Sequence, residues 1–193
     1  MASLKPKSKI NERQLALRLQ LWPEVGQADI WAKEGAGYTY IPRTMPLIIA
    51  IIDDLTKGTP AGSTYFELFC RVFEDGIATL NKPKEMAFHA GLTGQRAERT
   101  WNDRLGRLDD LGFIKLAAGP SGKYSYALMM NPYHAIHSQY RKHAGVTADS
   151  YNTLLARVAE IGAKDLSSIL VKEQEAARKG ASKRSAAVLK KAN

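Results

Sequence analysis

The chain has 193 residues, 45% of them hydrophobic, with a formal net charge of +9, which supplies a sizeable core and excludes wholesale disorder. A single cysteine, Cys70, excludes an intrachain disulfide framework and suits a reducing compartment. The longest apolar run, Pro46 to Ile52, stops at Asp53-Asp54 and is far too short to cross a bilayer, so no membrane association is expected.

Residues 1–10 read as a flexible basic arm. Asn11-Glu12-Arg13-Gln14 stands where the apolar part of a secretory signal would begin, so the expected setting is the cytoplasm. Leu15, Leu17, Leu19 and Leu21 lie in a predicted helix from about Asn11 to Leu21, stopped by Trp22-Pro23. Residues 23–43 are irregular. Their aromatics Trp31, Tyr38 and Tyr40, with Ile41, can stack on bases, but anchoring the loop to the core is the plainer role. Pro46 suits the first turn of a helix to about Thr56, capped by Thr44, with Leu47, Ile48, Ile51, Ile52 and Leu55 facing the core. A second helix is expected from Ser63 to Phe73. Cys70 sits within its apolar pattern and reads as a buried small hydrophobe. Ile77, Thr79 and Leu80 suggest a short strand able to pair with a later hairpin.

The stretch from Lys84 to Tyr133 organises the rest. Met86, Ala87 and Ala90 make a short apolar helix face, and Gly91 follows where a left-handed residue ends a helix. Thr93 is placed to cap the next helix, from about Gly94 to Leu111. Ala97, Trp101, Leu105, Leu108 and Leu111 recur there at steps of four and three, the buried stripe of an amphipathic helix. The opposite face carries Gln95, Arg96, Arg99, Thr100, Asp103 and Arg107. Gln and Arg offered from the first turns suit the major groove of DNA: Arg grips guanine O6 and N7 with two donors, and Gln pairs with adenine. Phe113, Ile114 and Leu116 then form a strand after the helix-ending Gly112. Gly119-Pro120-Ser121-Gly122 is a turn, and Tyr124, Tyr126, Leu128 and Met130 alternate with Lys123, Ser125, Ala127 and Met129. Lys123 lies at the hairpin tip, within reach of a phosphate or the minor groove.

Short helix, turn, long helix and hairpin, with the phrase RTWNDRLGRLDDLGFIKL, resemble the winged helix-turn-helix superfamily over roughly fifty residues. The resemblance implies base reading by Gln95, Arg96, Arg99 and Asp103, and a backbone or minor-groove contact by Lys123. More loosely, the chain looks like small plasmid- or phage-borne DNA-binding proteins, including the winged domains of replication initiators. The expected fold is mainly α with a small β-hairpin wing, and with extra N- and C-terminal helices.

After the hairpin, Asn131-Pro132 opens a helix containing Tyr133, Ile136 and Tyr140. Asp149 or Ser150 is placed to cap another with the stripe Tyr151, Leu154, Leu155, Val158 and Ile161. Leu166, Ile169, Leu170 and Val171 mark a further helical stretch. These stripes either pack back on the domain or pair two copies, and a homodimer is the expectation because DNA readers commonly use two-fold symmetry. The organisation read is an arm at 1–10, a winged-helix domain with an N-terminal extension at 11–145, C-terminal helices at 146–177 and a basic disordered tail at 178–193.

The charge falls where such a reading needs it. Residues 1–9 and 178–193 carry nine Lys or Arg and no acid, and residues 82–142 carry ten against five Asp or Glu. Catalytic signatures are lacking. His134 and His137 are three apart but have no ligand cluster beside them, and Asp53-Asp54 and Asp109-Asp110 are adjacent residues that point about 100° apart on a helix. Tyr133 and Tyr140 lack a metal or histidine partner motif and read as structural. No Walker, GxSxG or HExxH pattern occurs. The expectation is a non-enzyme without a cofactor that binds double-stranded DNA, acting as a transcriptional regulator or a plasmid or phage replication or maintenance factor. The alternative is a protein-interaction winged-helix module, or an inhibitor, that docks a partner protein.

Overall fold

The structure, a computed structural model, describes residues 9–26, 38–73, 75–163 and 171. Most of the basic arm, Trp31, the stretch around Leu166 to Leu170 and the basic tail lie outside the described residues. The chain divides into two compact units, residues 1–39 and 40–193. The first contains α1 (Lys9–Leu21), which ends as expected: Trp22 still donates to Arg18 O at 2.9 Å, and Pro23 cannot continue the ladder. Leucines spaced by two fall on opposite sides of a helix, so α1 has no single apolar stripe.

The second unit starts with α2 (Met45–Leu55) and α3 (Gly62–Arg71), which pack on each other. Met45, Ile48, Ile51 and Ile52 form the buried face of α2, with Leu47 and Leu55 partly buried against the core. Thr44 precedes the helix as predicted, but its hydroxyl does not cap it. The group is turned inward and pairs with Tyr133 Oη at 2.5 Å. Asp53, expected only as a charged helix end, reaches across and accepts the Gly62 N–H at 2.7 Å, capping α3 from the neighbouring helix. The α3 stripe is Thr64, Tyr65 and Leu68, with Tyr65 wedged against Phe69 and Phe113. Cys70 lies off that stripe and is exposed, contrary to expectation, and Phe73, beyond the helix end, is 88% exposed. Tyr38, Tyr40 and Ile41 are exposed as well.

Three strands build a small antiparallel sheet in the order β1-β3-β2: β1 (Ile77–Thr79), β2 (Ile114–Gly119) and β3 (Gly122–Met129). The anticipated pairing of β1 with the hairpin is present, with Ile77 opposite Leu128 and Thr79 opposite Tyr126. The alternation along β3 is also present, but the side that goes in is the small one. Ser125 and Ala127 are buried beside Ala78, whereas Tyr126 and Leu128 stand on the outer face with Ile77. The inner face must admit Phe113, Ile114 and the α5 stripe, and bulky residues there would overfill it.

Between β1 and β2 run α4 (Pro83–His89) and α5 (Ala97–Asp110). The chain closes with α6 (Pro132–Arg141) and α7 (Ala148–Glu160). Asn131 caps α6 by accepting the Tyr133 N–H at 2.9 Å. α7 is capped by Thr147, which accepts the Ser150 N–H at 3.1 Å; Asp149 and Ser150, the expected caps, already lie inside the helix. Tyr151, Leu154 and Val158 are buried within this unit against α2 and α6. That stripe therefore packs back on its own domain and is not left over for a second copy. Among the described residues there are seven helices and one three-stranded sheet, a mixed architecture, and no helix long and apolar enough to cross a membrane.

Candidate nucleic-acid interface

Two glycines shape the turn between α4 and α5. Gly91, at φ +78°, carries the chain out of α4 while its N–H bonds Phe88 O and the next N–H, of Leu92, bonds Ala87 O, both at 2.9 Å. Gly94, at φ +84°, makes a second left-handed step, and the helix does not begin until Ala97. Thr93 therefore stands too early to cap it. Arg96 occupies the N-cap position and gives no side-chain cap. Gln95 and Arg96, expected in the first turn of the helix, belong to the turn that leads into it. Glu98, in the first turn, complements the positive end of the helix dipole.

The inner side of α5 is fixed by Trp101, Leu105 and Leu108, all fully buried. One flank is held by Arg104, whose Nη1 donates to Ser63 Oγ at 3.2 Å. Burial lowers this guanidinium from its ordinary value, and nearby Asp53 acts in the opposite sense. At the end of α3, Arg71 Nε donates to Glu67 Oε1 at 2.5 Å, and its Nη2 lies 2.8 Å from Nδ1 of His89 at the end of α4. Glu85 closes the set, 3.1 Å from Lys82 Nζ and 3.6 Å from Arg71. Its carboxyl is held below the usual range, first by the Lys82 hydrogen bond. α4 is thus clamped to α3 by charge as well as by Met86 and Ala87.

Anchored in this way, α5 turns Arg99, Asp103 and Arg107 outward, and the turn adds Thr93, Gln95 and Arg96. All six are exposed, and Thr100 is half-buried at the edge. Among the described residues, no ion pair or side-chain hydrogen bond engages Arg96, Arg99 or Arg107. Lys123 is exposed on the hairpin just past its tip, with Nζ 5.0 Å from the ring centre of Tyr124. Gly119 and Gly122 are the last pair of the hairpin, so Pro120-Ser121 forms its loop.

The structure also brings predicted residues together with some that sequence reasoning did not single out, Asn102 and Phe88 among them. A groove of about 270 Å³ between α5 and the hairpin is lined by Glu98, Asn102, Ser121 and Lys123 among others. A second, of about 550 Å³, lies against α4 and the turn, with Lys84, Phe88, Leu92 and Gln95 on its walls. Asn102 sits three residues from Arg99 and was recoverable from the helical spacing; Phe88 carried no signal beyond being an aromatic outside the Met86, Ala87, Ala90 face. Elsewhere, His134 is exposed while His137 is buried with Nδ1 2.6 Å from Tyr151 Oη, so the two do not share a site. Tyr140 stacks on Tyr151 at 4.0 Å between ring centres, a packing role. No group of three metal-ligating side chains comes together among the described residues. Compared with known proteins, the chain matches no family model, no curated protein and no solved structure.

Proposed function

We propose that the protein is a winged helix-turn-helix that binds double-stranded DNA sequence-specifically, with α5 as the helix that enters the major groove. The observation that carries this is the set of outward guanidiniums, Arg96, Arg99 and Arg107, which have no side-chain partner among the described residues, while Arg71, Arg104 and Arg157 are each engaged by acids or hydroxyls. Arginines left free on one side of a helix supply the bidentate donors that guanine edges and phosphates accept. In this reading Gln95, Arg96, Arg99 and Asp103 face bases, with Asp103 accepting from a cytosine N4 amine. Thr93, Thr100 and Arg107 border the backbone, and Lys123 meets a phosphate beside the hairpin. The biological role that fits is a cytoplasmic transcriptional regulator, or a plasmid or phage replication or maintenance factor. Two copies on an inverted repeat would match two-fold symmetric DNA.

The test is selection from random duplexes followed by titration at two salt concentrations. A recovered motif with a steep salt slope is expected. On that motif Arg96→Ala or Arg99→Ala should cost ~1–3 kcal/mol and relax specificity, whereas Lys123→Ala should weaken all sequences about equally. Equal losses on motif and random DNA for all three variants would remove base reading from the proposal. The second reading, a partner-docking module, is favoured by the outer sheet face, where Ile77 (51%), Leu128 (41%) and Tyr126 (37%) are exposed side by side. Motif-free, salt-insensitive behaviour in the same titration would favour it.

A further inference from the structure

The groove beside α4 holds an aromatic that the fold does not need. α4 satisfies the core with Met86 and Ala87 and is held at its flank by the Arg71 cluster, yet Phe88, in its last turn, is 68% exposed. Its ring and the half-buried Leu92 supply the apolar part of the wall, and Lys84 lies one turn before Phe88 on the same side of α4. The far wall is the turn itself, bearing the exposed carboxamide of Gln95.

We propose that this groove reads a T·A base pair, with Phe88 against the C5-methyl of thymine. The inference rests on the DNA-reading proposal and adds a base preference to it. In the major groove a T·A pair shows a methyl group on one side and the N6 donor and N7 acceptor of adenine on the other. An apolar ring next to a free carboxamide matches both halves: Phe88 covers the methyl and Gln95 pairs with adenine. Lys84, at the outer rim, is the phosphate contact. The groove shares Gln95 with the outward side of the α5 entry, so one docking fills both. An apolar side chain from a protein would fill the space too, but it would leave the Gln95 amide and the Lys84 ammonium unmatched. Glu98, which lines this groove and the one beside the hairpin, excludes phosphate from the inner end.

Deoxyuridine differs from thymidine only in lacking that methyl. The experiment takes the selected duplex, replaces each thymine singly by deoxyuridine, and measures affinity for the wild-type chain, Phe88→Ala and Phe88→Leu at one salt concentration. For the wild type, one replacement per half-site should weaken binding roughly fourfold, the affinity equivalent of one buried methyl group. Phe88→Ala should bind the thymine duplex about as weakly as the wild type binds the uracil one, and should be indifferent to that replacement. Phe88→Leu should keep part of the discrimination. Wild-type binding insensitive to every uracil overturns the inference, as does equal sensitivity in wild type and Phe88→Ala. A loss in Phe88→Ala without any uracil effect in the wild type assigns the groove to another partner and also overturns it. Selection that yields no motif defeats the DNA reading itself, whereas a motif without methyl dependence defeats only this assignment. Should Phe88→Ala fail to fold, Phe88→Leu takes its place: discrimination smaller than in the wild type supports the inference, and undiminished discrimination overturns it.

Discussion

Replacing Gly106 by alanine tests whether α5 is as regular and as closely supported by the hairpin as described. Gly106 lies inside the helix, half-buried, with ordinary helical φ. A methyl group there meets Tyr124 Oη at 3.6 Å, a normal van der Waals distance, and nothing nearer. Alanine is better than glycine in a helix interior by ~0.5–1 kcal/mol, because glycine leaves the unfolded chain more freedom to lose. No steric cost offsets this, so Gly106→Ala should stabilise the fold by ~0.5–1 kcal/mol, a rise in Tm of roughly 1–4 °C. Urea unfolding followed by circular dichroism is the assay, and the midpoint should rise with an unchanged slope. Gly62→Ala is the control of opposite sign. Its added carbon would sit 2.7 Å from Ile49 Cγ2 and 2.9 Å from Asp53 Oδ1, so it should destabilise by ~1–3 kcal/mol through overpacking. A lower midpoint for Gly106→Ala would refute the reasoning: either the hairpin presses closer on α5 than 3.6 Å, or the helix is not continuous at that point.

Two further expectations concern other elements. His143 holds a left-handed φ of +52° where α6 ends, with Ala144 N–H bonded to Gln139 O at 3.0 Å. His143→Gly should therefore stabilise by ~0.5–1 kcal/mol in the same unfolding assay, and a loss of stability would show that the imidazole has a role at that terminus. Cys70 is exposed, yet partial desolvation, and then the Glu67 carboxylate, push its thiol above the ordinary value. A raised value leaves less thiolate at any given pH. Folded protein should thus take up one maleimide label, more slowly than a free thiol at neutral pH and faster as pH rises. Complete protection in the folded state would contradict the placement of Cys70.

The helix pair and hairpin were legible because their signals are local. The Met86, Ala87, Ala90 face, Gly91, the Trp101, Leu105, Leu108 stripe and Gly112 all act within a few residues of themselves. Three features depended on tertiary context. Thr93 looked like a cap, but Gly94 adds a second left-handed step, and the helix starts four residues beyond that threonine. On α3 the apolar residues at 65, 66, 68, 69, 72 and 73 fit more than one face, and the choice that buries Tyr65 and Leu68 leaves Cys70 outside. On β3 the alternation was readable but not which side faces inward, and packing in the core that holds Trp101 and Phe113 selects Ser125 and Ala127. Arg99, Asp103 and Arg107 were readable from helical spacing, whereas Gln95 and Arg96 turned out to lie in the turn before the helix. Phe88 and the grooves were not readable, since they arise from how the turn brings α4 against the start of α5.

The order β1-β3-β2 also bears on how the molecule behaves when concentrated. Its two outer strands are the only places where a further strand could be added to the sheet among the described residues. β1 is three residues long, too short to template a growing ribbon, and β2 carries Lys115 and a register shift between Ala117 and Gly119. Short length, an edge lysine and an irregularity are the means by which sheets resist strand addition. The apolar outer face can therefore stay exposed without the sheet propagating edge to edge into fibres.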